Sequence, residues 1–311
     1  MDEIMVSVIC LAYNHEAWIR DALEGFVSQQ APFRVEGLVH DDASTDGTAA
    51  IIREYQARYP ALFVPVFQAE NRLSRGEPVS LRYLAPLIRG RYVALCEGDD
   101  YWTDPHKLAK QVAALEARPN VDICAHVTRK VREGRAAGYV APCLRDTLLP
   151  VEKVILGGGS RFVATSSLLC RTEIYKLWTP MREVLVNDYV LQLQGSMRGG
   201  MYCLADCMSV YRTGVPGSWN ARHRGRRMEI RQTNRQMLQA FDRYTEGRFH
   251  DAVAQRQALY DSDDLVSTRR WFAMLAPRQL RTTCRQIGRS LGRLGRSFLY
   301  RFRCRKAATS F

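Results

Sequence analysis

No stretch of about 18 uncharged apolar residues occurs in this chain, so no transmembrane helix is expected. Its first residues, Met1-Asp2-Glu3, are acidic where a secretory leader would be basic, and a strand-like run follows directly. The nine cysteines include no two pairs at metal-ligand spacing. Cys203 and Cys207 flank Asp206, but no second pair completes a zinc site. Cys10, Cys96 and Cys170 lie inside apolar runs, which suits a reduced, cytosolic setting. None of the six histidines has a neighbour at ligand spacing, so His15, His40, His106 and His126 read as loop, cap or core residues. A strand-Gly-x-Gly-x-x-Gly-helix phosphate cradle is also missing; Gly157-Gly158-Gly159-Ser160 reads as a turn or hinge.

What the chain does have is a strand that empties into carboxylates. Tyr92-Val93-Ala94-Leu95-Cys96 is continuously apolar and leads straight into Glu97-Gly98-Asp99-Asp100. Carboxylates this close repel one another unless a cation or hydrogen-bond donors meet them. Oxygen ligands with a flexible Gly between them suit Mg²⁺ or Mn²⁺, and such ions suit a diphosphate. The plainer alternative is a solvated acidic turn ahead of a helix opened by Asp104-Pro105.

Two earlier segments repeat the form. Val6-Ser7-Val8-Ile9-Cys10-Leu11 ends in Ala12-Tyr13-Asn14-His15, and Val35-Glu36-Gly37-Leu38-Val39 ends in His40-Asp41-Asp42-Ala43-Ser44-Thr45-Asp46-Gly47-Thr48. Helix-period stretches follow over 16–27 and 49–59. Strand, loop, helix, strand at this spacing predicts an α/β fold with a mostly parallel sheet and right-handed crossovers. The polar loops then share one sheet edge, where open α/β sheets place their ligands.

Together, Val6-Ser7-Val8-Ile9 with Tyr13-Asn14, Asp41-Asp42 with Ser44-Thr45-Asp46-Gly47-Thr48, and Glu97-Gly98-Asp99-Asp100 resemble the family 2 glycosyltransferases of GT-A fold. The likeness spans about residues 4–220. It implies inverting transfer of a sugar from a nucleotide diphosphate-sugar, with a UDP-sugar first among donors, and a divalent cation, Mn²⁺ or Mg²⁺. It implies that Tyr13 and Asp42 hold the base, that Asp99 is the metal ligand, and that Glu97 lies near the ribose or metal. Glu97 stands where the family more often has Asp.

The acceptor side falls to the middle of the chain. Residues 121–127 and 162–170 read as strands, and 129–149 as a loop-rich excursion. Thr165-Ser166-Ser167 is placed toward the acceptor. Val184-Leu185-Val186-Asn187-Asp188 then opens a helix, where the resemblance puts the general base, so Asp188 inherits that role and Asn187 departs from the usual acidic pair. A helix-opening carboxylate stabilised by the macrodipole is the structural alternative for Asp188. Arg212, in Tyr211-Arg212-Thr213-Gly214-Val215-Pro216-Gly217, is placed to neutralise phosphate. Thr213 sits where relatives often have His, and His223 is a substitute candidate.

The charge is lopsided. From residue 221 onward there are 21 Lys and Arg against 7 Asp and Glu, out of 45 and 32 in the 311-residue chain. Residues 265–311 contain no acid at all. On a helical wheel Arg281, Arg285, Arg289, Arg293 and Arg296 oppose Leu280, Cys284, Ile287, Leu291, Leu294 and Phe298. This pattern predicts a basic amphipathic segment over 277–303 that lies on an anionic membrane surface. Packing on the catalytic domain or an oligomer contact is the alternative. The expected organisation is therefore a catalytic domain over 1–220 and a basic helical region over 221–311, peripheral on the cytoplasmic face of a membrane. The acceptor is expected to be a cell-surface glycan or a lipid-linked one.

Two other classes compete for this pattern. A nucleic-acid-binding protein would use the basic tail, but its groove would hardly be lined by Asp41, Asp42, Glu97, Asp99 and Asp100 without metals, and no helix-turn-helix, RRM or KH signature occurs. A nucleotidyltransferase would carry a Gly-rich, basic phosphate loop near its start, and Leu11-Ala12-Tyr13-Asn14-His15 is not one.

Overall fold

The computed structural model describes residues 3–222 and 225–264. The first half alternates as expected: β1 (Ile4–Ala12), α1 (Ile19–Val27), β2 (Arg34–Asp41), α2 (Thr48–Arg58), β3 (Phe63–Phe67), β4 (Tyr92–Leu95), β5 (Tyr101–Trp102) and α3 (Lys107–Glu116). There follow β6 (Ile123–Arg132), β7 (Arg135–Val140), β8 (Thr147–Leu149), α4 (Val151–Gly157), β9 (Leu169–Arg171), α5 (Thr172–Lys176), α6 (Pro180–Val184), α7 (Asp188–Ser196) and β10 (Met201–Thr213). Three helices close the described chain: α8 (Trp219–Arg222), α9 (Arg227–Tyr244) and α10 (His250–Asp264).

These strands form one mixed sheet in the order β3-β2-β1-β4-β9-β6-β10-β5, with β7 against β6 and β8 against β10. β1 is parallel to β2 and β4, β2 to β3, and β6 to β10. β9 is antiparallel to both its neighbours. Because successive side chains of a strand point to opposite faces, β1 sends Val6, Val8 and Cys10 into one apolar cluster and Ile9 into another. Helix α1 covers the first of these with Ile19, Ala22, Leu23 and Phe26, one face at helical spacing. The chain moves from β1 outward to β2 and β3, then returns to β4 on the other side of β1. That reversal is the switch point where such sheets open a crevice.

Two expectations are corrected. The excursion at 129–149 is ordered: β6 continues to Arg132 and turns into β7 through Glu133 and Gly134, with φ of 51° and 73°. Both central residues of such a two-residue hairpin need positive φ; Glu in place of Asn or Asp concealed the turn. The strand expected over 162–170 is only Leu169–Arg171. Ahead of it, Thr165–Ser167 is a single 3₁₀ turn, so the apolar run reflects burial, not strand period.

Helices α9 and α10 are joined to the core. Met237, Leu238, Phe241, Phe249, Val253 and Tyr260 belong to the same apolar cluster as Ile9, Val93 and Ile123. Among the described residues no helix is long and apolar enough to cross a membrane. The basic segment 277–303 lies outside the described residues.

Candidate active site

The crevice is built by the chain ends of β1, β2 and β4. Beyond β4 the pairing with β1 continues, as Cys96 N–H donates to the Ile9 carbonyl at 3.1 Å and Gly98 N–H to that of Leu11 at 2.9 Å. This ladder sets Glu97 and Asp99 beside the first loop. Gly98 is required there: a Cβ would lie 2.8 Å from His15 Nδ1 and 2.9 Å from Ile19 Cδ1.

The first two loops are laced together. Asn14 N–H donates to Ser44 Oγ at 2.9 Å, and His15 N–H to Thr48 Oγ1 at 2.8 Å. Thr45 N–H returns a bond to Asn14 Oδ1 at 2.8 Å, and Gly47 N–H donates to Glu16 Oε2 at 2.9 Å. Asn14 and Ala43 both hold positive φ, 55° and 61°, a costly conformation for non-glycine residues that this lacing maintains. The Ser44-to-Thr48 part of the second motif is thus scaffolding for the loop bearing Tyr13, which is half-buried.

Asp41 and Asp42 are both buried. Asp42 accepts the backbone N–H groups of Arg72 at 2.8 Å and Leu73 at 3.0 Å, fixing the segment that borders the cleft beyond β3. Asp41 accepts from Ser44 N–H with Oδ2, while its Oδ1 is buried without a partner.

Four carboxylates gather at the far side. Asp99 and Asp100 are buried. Asp100 accepts Arg212 N–H at 2.9 Å, yet burial, then the Asp99 and Glu97 charges, hold its carboxyl well above the usual range. Glu97 reaches solvent through the cleft. The protein mass around it, then Asp99 and Asp188, push its carboxyl up to about 8. Asp188 opens α7, whose N-cap Asn187 accepts Val190 N–H at 3.0 Å. Burial raises Asp188 to about 6 against the opposing hydrogen bond from Thr165, 3.2 Å away. The Thr165–Ser167 turn, whose Ser166 carbonyl accepts from Trp102 Nε1–H at 2.9 Å, ties Asp188 to the segment that follows the Glu97–Asp100 turn.

Arg212 is held by three protein groups. Its guanidinium donates to the Asp99 carbonyl at 3.0 Å, pairs with Asp21, and stacks 4.3 Å above the Tyr101 ring. It therefore secures the carboxylate turn to α1. The exposed cation that acts electrostatically on Glu97 and on His15 is Arg222, at the end of α8. Sequence reasoning missed it because Arg222 begins an arginine-rich stretch without distinguishing spacing. His15, expected as a loop residue, is one, and faces Asp99, Asp41 and Asp46; burial lowers its pKa against these charges. His223 lies outside the described residues.

Among the described residues no three His, Cys, Asp or Glu side chains form a metal cage. The donor set instead suits an ion held by one or two carboxylates with the rest of its shell from phosphate and water, which is how Mg²⁺-type ions are commonly bound. Asp99 and Glu97 fit that pattern, and their mutual repulsion would be relieved by a cation.

An α/β sheet with a switch-point cleft of this composition is the architecture of GT-A glycosyltransferases. A family model described as "Glycosyl transferase family 2" matches residues 7–175, and the chain belongs to that family. Uncharacterized protein Rv1520 of Mycobacterium tuberculosis is 34% identical over 297 residues, covering 94% of this chain and 78% of that one. Among solved structures, S. aureus TarS 1–349 in complex with UDP-GlcNAc superposes with a TM-score of 0.58 at 17% identity, covering 77% of this chain and 67% of that one. Mannosyltransferase PcManGT from Pyrobaculum calidifontis, in complex with GDP-Man and Mn²⁺, gives 0.52 at 17% identity, covering 96% and 85%. At these identities the structures speak for the fold.

Proposed function

We propose that this family 2 glycosyltransferase is an inverting, cation-assisted enzyme that moves a sugar from a nucleotide diphosphate-sugar, a UDP-sugar first, to a hydroxyl of a glycan or lipid-linked acceptor. The observation that carries it is the Glu97–Asp100 carboxylate turn at the switch point, with Asp188 tied to it through the Thr165–Ser167 turn, which bonds Asp188 at 3.2 Å and Trp102 at 2.9 Å. Tyr13 and the Asp42-anchored segment at 72–73 form the base end of the cleft. Asp99, with Glu97 beside it, would hold the divalent cation. When bound, that ion supplies Lewis-acid stabilisation to the departing diphosphate. Arg222 adds positive charge at the same end, and Arg212 keeps the Asp99–Asp100 turn in place.

Asp188 takes the acceptor hydroxyl proton while the oxygen forms its bond to the anomeric carbon. The bond from that carbon to the diphosphate breaks, and the nucleoside diphosphate leaves with the electron pair. A carboxylate raised to about 6 is a stronger base than a solvated one and is still ionised at neutral pH. The two neighbours described above were solved with UDP-GlcNAc and with GDP-Man and Mn²⁺, which supports a nucleotide-sugar donor and a cation. A membrane-bound acceptor accords with the basic tail, and nucleic acid is not a partner in this reading. The test is a hydrolysis screen of nucleotide-sugars with Mn²⁺ or Mg²⁺ added or chelated. Release of nucleoside diphosphate from one donor in the presence of metal is the expected result; none from any donor overturns the proposal.

A further inference from the structure

Asp99–Asp100 and Asp188 come from elements that do not touch directly in sequence or sheet order, and one short turn connects them. Thr165 donates its hydroxyl to Asp188 Oδ2 at 3.2 Å. The next residue, Ser166, donates its hydroxyl to Ser209 Oγ at 3.4 Å. Thr165 thus holds the acceptor-side carboxylate, while the carbonyl of its neighbour Ser166 is held by Trp102, two residues beyond the donor-side Asp100.

The turn is clamped from beneath through its carbonyls. Trp102 Nε1–H donates to the Ser166 carbonyl at 2.9 Å. Gln111 Nε2–H donates to the Ser167 carbonyl at 2.8 Å and reaches the Cys124 carbonyl at 3.4 Å. Gln111 is itself fixed by Lys107, one helical turn earlier on α3, whose Nζ donates to Gln111 Oε1 at 2.7 Å and lies 4.0 Å above the Trp102 ring. Lys107, Gln111, Ser166 and Ser167 are all fully buried. A fully buried lysine is costly to retain, and here its described partners are an amide oxygen and an aromatic face, not a carboxylate. A polar network this deep rigidifies what it holds when every bond is made.

We propose that Gln111, set by Lys107 and aided by Trp102, is a positioning residue for sugar transfer: it fixes the Thr165–Ser167 turn, and that turn keeps the base in register with the donor end. This rests on the function proposed above. The register matters because displacing a reacting group by about 1 Å costs on the order of 10²-fold in rate.

The test is Gln111→Glu. Glutamate still accepts from Lys107 but has no N–H for the Ser167 and Cys124 carbonyls. Expected are a folded protein, unchanged affinity for the nucleoside diphosphate and unchanged donor KM, with kcat lowered about 10- to 100-fold. Thr165→Val should give the same split and move the acid limb of kcat/KM upward, and Thr165→Ser should restore both. A Gln111→Glu protein with wild-type kcat, or one whose kcat and donor affinity fall together, overturns the proposal. Should that variant fail to fold, Trp102→Phe, which removes the N–H and keeps an aromatic ring, decides by the same split. Asp188→Asn runs alongside: if it keeps full activity, the assignment of the base has failed irrespective of Gln111.

Discussion

The side-chain oxygen of Asn14 accepts the Thr45 N–H at 2.8 Å while Asn14 itself is held at a φ of 55°. One residue thus joins the loop after β1 to the loop after β2 and accepts the backbone strain of doing so. Asn tolerates this conformation better than most side chains.

Asn14→Ala should remove the bond and keep the strain. A loss of about 1–2 kcal/mol in stability is expected, with a raised donor KM because Tyr13 precedes it. Asn14→Gly should relieve the strain but not restore the bond, and so recover part of the stability and little of the KM. Denaturant unfolding and nucleotide titration check both.

Asp99→Asn should abolish transfer and weaken metal-dependent binding of nucleoside diphosphate, with the melting midpoint close to that of the wild type. A chelator should do the same to the wild type, reversibly. Near-normal turnover by the variant, or indifference to chelation, would end the cation-assisted mechanism.

Asp188 links activity to pH. Its carboxyl is raised to about 6, with burial as the main cause, and the base must be ionised, so kcat/KM should fall as pH drops through about 6. Asp188→Asn should lower kcat about 10²- to 10⁴-fold and leave nucleotide affinity intact. Stability moves the other way. A carboxyl raised in the folded state destabilises it as pH climbs from about 4 to about 6, and the penalty persists above that. The variant should therefore be more stable than the wild type at pH 7, by about 3 kcal/mol, and equal to it below about pH 4. Chemical denaturation in chelator at both pH values measures the difference.

The strand-to-loop transitions at Ala12, Asp41 and Cys96 were legible because each apolar run gives way at once to polar residues, carboxylates in the second and third. Asp188 was singled out only through the resemblance, since Asn187 replaces the usual acidic partner, and the capping of α7 by Asn187 emerges from the structure. Other assignments depended on three-dimensional neighbours. Ser44 to Thr48 look like site residues in sequence, and only their bonds to 14–16 show them as scaffold. Arg212, expected at phosphate, also pairs with Asp21 in a helix 191 residues earlier, a contact no local pattern shows. Lys107 and Gln111 look like surface residues of a helix, because a charged side chain gives no sign in sequence that it is buried.

The last prediction concerns the chain's end. Truncation after residue 220 should give an unfolded or aggregated protein, since it removes Met237, Leu238, Phe241, Phe249 and Val253 from the main apolar cluster. Each such loss in a core costs several kcal/mol. Truncation after residue 264 spares all of them and should leave a folded protein with transfer to a water-soluble acceptor intact. It takes with it the acid-free segment 265–311, to which we assign membrane association. Full-length protein should co-sediment with vesicles in proportion to their anionic lipid, and less so as salt rises, because the Debye length shrinks to about 10 Å at 0.1 M. The 264 truncation should stay in the supernatant under every condition. Full-length protein that also remains there at low salt would leave the basic segment without a membrane role, and the packing or oligomer alternatives would then account for it.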